Sequence, residues 1–109
     1  MITVTVRRDR QGRLRGFSSS GHAGYDEYGQ DIVCASVSVL VINTVNALSA
    51  LTSDVFELET SEESGNIDVA FSRDLTEKGE ALVRAMILGL ESIQKEYGNK
   101  YIRVIFKEV

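Results

Sequence analysis

A chain of 109 residues with 43% hydrophobic and 26% charged side chains has the composition of one soluble globular domain, not of a disordered or membrane-embedded protein. Its formal charge of -4 argues against the basic footprint that sequence-independent nucleic-acid binding requires. One cysteine cannot form an internal disulfide, so the fold is expected to stand on packing, in a reducing compartment.

The opening Met1 to Arg8 lacks the long apolar run and small-residue cleavage site of a secretory signal, and a cytoplasmic location is the default expectation. Residues 2 to 6 alternate Ile2, Val4, Val6 with Thr3, Thr5, the period of a half-buried strand. Asp9-Arg10-Gln11-Gly12 supplies turn chemistry, and residues 13 to 19 read as a second strand paired back on the first. Arg7, Arg8, Arg10, Arg13 and Arg15 crowd this hairpin, either as its solvated face or as a docking patch for an acidic partner.

Residues 32 to 51 contain no glycine or proline, and Val33, Val37, Leu40, Val41, Thr44, Val45, Leu48 and Leu51 fall on one helical face. Asp31 stands where an N-cap belongs, which puts Cys34 in the first turn. Residues 55 to 60 and 66 to 72 read as a second hairpin, with Phe56, Leu58, Ile67, Val69 and Phe71 as its apolar face. Asp74 with Glu77 resembles a capping box opening a second helix, which carries Leu75, Leu82, Val83, Met86, Leu90 and Ile93 inward and is closed by Gly98. Gly79 and Gly89 inside it each cost about 1 kcal/mol relative to alanine, a sign of close approach to a neighbouring backbone. A last strand runs from 101 to 107. The order ββαββαβ predicts a single α+β domain over 1–109. It is a two-layer sandwich with two helices on one face of a mostly antiparallel sheet, and Thr3, Thr5, Arg103 and Lys107 on the wet face.

The only histidine and the only cysteine lie twelve positions apart, at His22 and Cys34, across a segment with glycines at 21, 24 and 29. The thiolate is the nucleophilic form of cysteine, and an ordinary thiol with a pKa of about 8.5 is only a few per cent ionised at neutral pH. A helix start favours the anion by about 0.3 to 1 kcal/mol, at best about 2, so a nearby base must supply the rest. His22 is the only imidazole available, and closing a loop of about twelve residues costs roughly 2 kcal/mol beyond a constant term. Helix-start amides around residues 32 to 35 would also face an oxyanion, an arrangement suited to acyl transfer. Asp31 serves equally well as an orienting group for the imidazole or as the helix cap. The plain alternatives stand beside this: a lone cysteine is more often a small buried apolar group, and a lone histidine in a glycine-rich loop a local hydrogen-bonding residue. A metal site is disfavoured, since Asp26, Glu27 or Asp31 would have to complete the shell.

Gly21-His22-Ala23-Gly24 followed by Gly29-Gln30-Asp31-Ile32-Val33-Cys34-Ala35-Ser36-Val37-Ser38 resembles the paired signature of the ribosomal-processing cysteine proteases called Prp, and the likeness extends over essentially the whole chain. Ser36 departs from the alanine or glycine common there, while remaining small. The resemblance implies a cytoplasmic endopeptidase that trims the N-terminal segment of a large-subunit ribosomal protein, acting as a homodimer without metal or organic cofactor. Cys34 would be its nucleophile and His22 its base, with Asp31 nearby. Gly21, Ala23, Gly24, Tyr25 and Tyr28 form the candidate substrate loop, with residues 23 to 30 as a flap ordered by substrate. Neither a membrane nor direct nucleic-acid contact is expected. Two readings compete with this one: a non-enzymatic ribosome-associated protein binding through the Arg7 to Arg15 hairpin, and a thiol hydrolase acting on a small substrate.

Overall fold

The computed structural model describes residues 1–21, 32–61 and 64–109. Its elements are β1 (Ile2–Arg8), β2 (Leu14–Gly21), α1 (Ile32–Leu51), β3 (Glu57–Ser61), β4 (Asn66–Ala70), α2 (Glu77–Tyr97) and β5 (Ile102–Glu108). The five strands form one sheet in the order β3-β4-β2-β1-β5. β1 pairs antiparallel with β2 and parallel with β5, and the β2–β4 and β3–β4 pairings are antiparallel. Element order, sheet character and two-layer architecture agree with the sequence reading.

Alternation along the strands decides which face is covered. Ile2, Val4 and Val6 of β1 are buried, as are Phe17, Val69 and Ile102 beside them on β2, β4 and β5. Against this face pack Val33, Val37, Val41 and Leu48 of α1 with Val83, Met86 and Leu90 of α2. Each such side chain contributes about 1.5 to 3 kcal/mol when fully buried. Phe17 and Phe71 meet with ring centroids 6.0 Å apart and planes tilted by 56°. Thr3 and Thr5 are half-buried on the opposite face, beside exposed Arg103 and Lys107.

Several local expectations are corrected. α2 is capped by Thr76, whose hydroxyl accepts from the Gly79 N–H, not by Asp74. Asp54 in turn accepts from the Thr76 N–H at 2.8 Å and from its hydroxyl at 2.7 Å, so a loop residue 22 positions upstream organises the cap. Asp74 is instead drawn to the arginines of the first hairpin. Leu51 is exposed because α1 overruns the core at its end, Leu40 in mid-helix is half-buried beside Gly89 of α2, and Ile87 joins the buried set. Gly79 and Gly89 make room for side chains, not backbone: a Cβ at Gly79 would strike the Asp54 carboxylate, and one at Gly89 would stand 2.9 Å from Leu40 Cδ1. Val55 and Phe56 precede β3, which starts at Glu57, and Phe71 follows β4. Gly98 closes α2 as expected, with φ of 100° and its N–H donated to the Gln94 carbonyl.

Candidate active site

Cys34 is the third residue of α1, half-buried and packed against the margin of the core. Val33 and Val37, 0% and 2% exposed, anchor that turn to the sheet, so core packing fixes the rotation of α1 and the direction in which residue 34 projects. Helix geometry leaves the first N–H groups without intrahelical acceptors, and the aligned peptide dipoles add a partial positive charge there. No acidic residue occupies the first turn of α1, whereas α2 opens with Glu77 and Glu80. Among the described residues of α1 nothing acidic offsets that partial charge beside Cys34, and such an end favours a thiolate or an oxyanion. The Ser36 hydroxyl donates to the Ile32 carbonyl at 2.6 Å, holding it against its own helix and leaving a small neighbour to Cys34.

Gly21, expected in a loop, is the last residue of β2 and pairs with Ile2. Its φ of +90° is one that only glycine adopts readily, and a Cβ there would collide with the Met1 carbonyl oxygen. The chain thus leaves the sheet toward residue 22 in a direction set by backbone packing. His22, Ala23, Gly24, Tyr25, Tyr28 and Asp31 lie outside the described residues, so the expectations for the dyad, the role of Asp31 and the substrate loop fall there.

The sequence reading missed an apolar hollow of about 390 Å³ between α1 and the β3–β4 hairpin. Ser38, Ile42, Val45 and Asn46 line it from the helix, and Leu58, Thr60 and Ile67 from the strands. Cys34, Ser38, Ile42 and Asn46 form one i±4 ridge of α1, so the hollow opens one turn, about 6 Å of helix axis, beyond the thiol position. That ridge is the signal the sequence carried: small, apolar and amide side chains in a row, on a helix without a single charged residue.

Four of the five hairpin arginines are engaged within the fold. Arg7 donates to Asp68 at 3.0 Å and to the Val69 carbonyl at 2.8 Å. Arg15 bridges Asp9 at 3.0 Å and Asp74 at 2.6 Å, and Arg13 pairs with the same two carboxylates. Arg8 lies 4.3 Å from the Phe106 ring centroid. Hydrogen bonds from Arg15, reinforced by the charge of Arg13, hold the Asp74 carboxyl below its ordinary range. Partial desolvation pushes Asp9 up, but hydrogen bonds from the Arg13 amide, the Arg15 side chain and the Gln11 amide outweigh it, and its pKa is lowered too. Arg15, held chiefly by Asp74, is shifted upward. These pairings fasten the β1–β2 turn to the entry of α2 and offset the charge of Arg7, Arg13 and Arg15, while Arg8, Arg10 and Arg13 stay exposed.

The sequence matches the family described as Cysteine protease Prp over residues 1–103. It is 31% identical to the ribosomal processing cysteine protease Prp of Staphylococcus aureus over 98% of this chain and 100% of that protein. It is 35% identical to the Bacillus subtilis protein of the same name, over 89% of this chain and 90% of the relative. The fold superposes on the crystal structure of the S. aureus protease with a covalently linked product peptide at a TM-score of 0.91, with 31% identity, 98% of this chain and 100% of that one covered. A Streptococcus mutans protein of known structure follows at 0.82 with 33% identity, covering 100% of this chain and 96% of the other.

Proposed function

The chain belongs to the Prp family of cysteine proteases, and from that premise we propose that it removes the N-terminal extension of a large-subunit ribosomal protein, with Cys34 as nucleophile and His22 as its base. The observation that carries this reading is the place of Cys34: the sole thiol of the chain, half-buried in the first turn of a helix that itself carries no charged residue. The S. aureus relative, crystallised with a substrate peptide and with a covalently linked product peptide, supports a peptide as substrate.

In the proposed reaction the Cys34 thiolate attacks the scissile carbonyl carbon, and first-turn amides of α1 hold the oxygen as it gains charge. The His22 imidazolium delivers its proton to the departing amine, leaving a thioester. Water, deprotonated by the neutral imidazole, attacks the thioester; the carboxylate product leaves and the thiolate is restored. Asp31 orients the imidazole or caps α1. Ala23, Gly24, Tyr25 and Tyr28 border the peptide. The net charge of -4 suits a basic peptide. The reaction needs neither metal nor organic cofactor, and we place the enzyme in the cytoplasm as a homodimer.

The test is incubation with a synthetic peptide spanning the N-terminal segment of that ribosomal protein from the same organism, products being read by mass. Cleavage at one bond is expected, reduced about a thousandfold or more in Cys34→Ala and in His22→Ala, each retaining the native circular dichroism spectrum. Undiminished cleavage in either variant would refute the dyad, and an intact peptide would refute the substrate.

A further inference from the structure

The sheet has two edges, and they are finished differently. On β5 the Val104 amide is taken by Gln94 Oε1 at 2.8 Å, and Arg103 and Lys107 add the cationic side chains that discourage edge pairing. On β3 all five residues are exposed and the paired neighbour is β4 alone; among the described residues no side chain meets the outward backbone groups. β3 carries no proline and no lysine; Glu57 and Glu59 point to the outer face, while Leu58 and Thr60 face the helices and enter the hollow beside α1. Ile42 and Leu58, 48% and 47% exposed, leave apolar surface uncovered where one more strand would lie.

We propose that β3 is the docking edge for the peptide substrate, which adds to the sheet as a sixth, extended strand. Its helix-side side chains enter the hollow among Ser38, Ile42, Leu58 and Ile67, and its other side chains lie over Glu57 and Glu59. This rests on the peptidase reading above and specifies how that peptide is held. Strand addition gives affinity through main-chain hydrogen bonds whatever the sequence, and selectivity through alternate pockets. It presents an extended backbone, the form a nucleophile attacks most readily, along a groove that begins one turn from Cys34 on the same ridge. Charge selects the occupant. A second copy of β3 would bring Glu57 and Glu59 against like charges, which cross-strand pairing disfavours. A segment alternating apolar with basic residues meets an apolar hollow on one side and carboxylates on the other.

The experiment uses the ribosomal N-terminal peptide as a series, each member carrying one backbone N-methyl group away from the scissile bond. Strand addition predicts that kcat/KM falls about tenfold at every second position of the docked segment and holds within about twofold between them. Amide exchange in the Cys34→Ala protein with the unmodified peptide bound slows at alternate residues of β3. Leu58→Gln raises KM about tenfold with kcat unchanged, and Glu59→Lys raises KM in a manner that high salt erases. Cleavage of the unmodified peptide without alternation, or binding that leaves β3 exchange unaltered, overturns the docking edge while the peptidase reading survives. Absence of both cleavage and binding overturns both. Dissociation of a dimer by Leu58→Gln with KM unmoved assigns the edge to a second copy and refutes the proposal.

Discussion

Gly21 ends β2 directly against the carbonyl of Met1, opposite Ile2, with a backbone angle of φ +90°. The residue after it is His22, the proposed base, so first-strand packing sets the direction in which the chain leaves the sheet. Replacing Gly21 with alanine imposes a strain of order 1 to 3 kcal/mol and a collision with the Met1 oxygen. The expected outcome is a Tm lowered by several degrees, together with a fall in kcat larger than stability explains at the assay temperature. Thermal melts paired with steady-state kinetics well below the transition check both, and native kcat in Gly21→Ala would show that this turn does not position residue 22.

Asp54 and Thr76 cap α2 as a unit, far from Cys34. Thr76→Ala is expected to cost about 1 kcal/mol, and Asp54→Ala a similar amount, because each removes part of the same hydrogen-bonded cluster. The double variant should lose clearly less than the sum. Urea denaturation of the four proteins measures the coupling, and strict additivity would show that the two residues act separately.

The acid limb of stability follows from the lowered pKa values of Asp9 and Asp74. A carboxyl whose folded pKa lies below its unfolded value contributes stability that is fully present above the unfolded value, 3.8, and is lost as pH falls through the lower folded one. The stability difference between the native protein and Asp74→Asn should therefore be constant from pH 7 down to about pH 5 and shrink below about pH 4. Urea midpoints from pH 7 to pH 3 test this; a difference that persists unchanged at pH 3 would mean the ion pairs are not its source.

Gly89 and Gly79 give opposite expectations despite equal helix propensities. At Gly89 the obstacle is the flexible end of half-buried Leu40, so Gly89→Ala should lie within about 1 kcal/mol of the native protein, its propensity gain of about 1 kcal/mol offset by the shift of Leu40. Combined with Leu40→Ala, the same substitution becomes stabilising relative to Leu40→Ala alone. At Gly79 a methyl group meets the Asp54 carboxylate that organises the cap, and Gly79→Ala should destabilise by more than Thr76→Ala. Chemical denaturation of the set ranks them.

The sequence by itself determined what is periodic or local. Alternation in Ile2, Val4 and Val6 marked a one-sided strand, the helical stripe from Val33 to Leu48 marked the buried face of α1, and Gly98 marked the end of α2, because each depends on residues within a turn or two of one another. The nearness of one imidazole and one thiol in the chain, and the helix start at Ile32, pointed to the chemistry for the same reason. Tertiary structure decided what depends on partners remote in sequence. Asp74 reads locally as a cap, yet arginines 61 and 59 positions away claim it, and Asp54 organises the cap from 22 positions upstream. The placement of β1 between β2 and β5, the open edge at β3 and the hollow beside Ser38 and Ile42 arise only when strands and helices meet, since exposure belongs to the assembled layers and not to a residue's own neighbours.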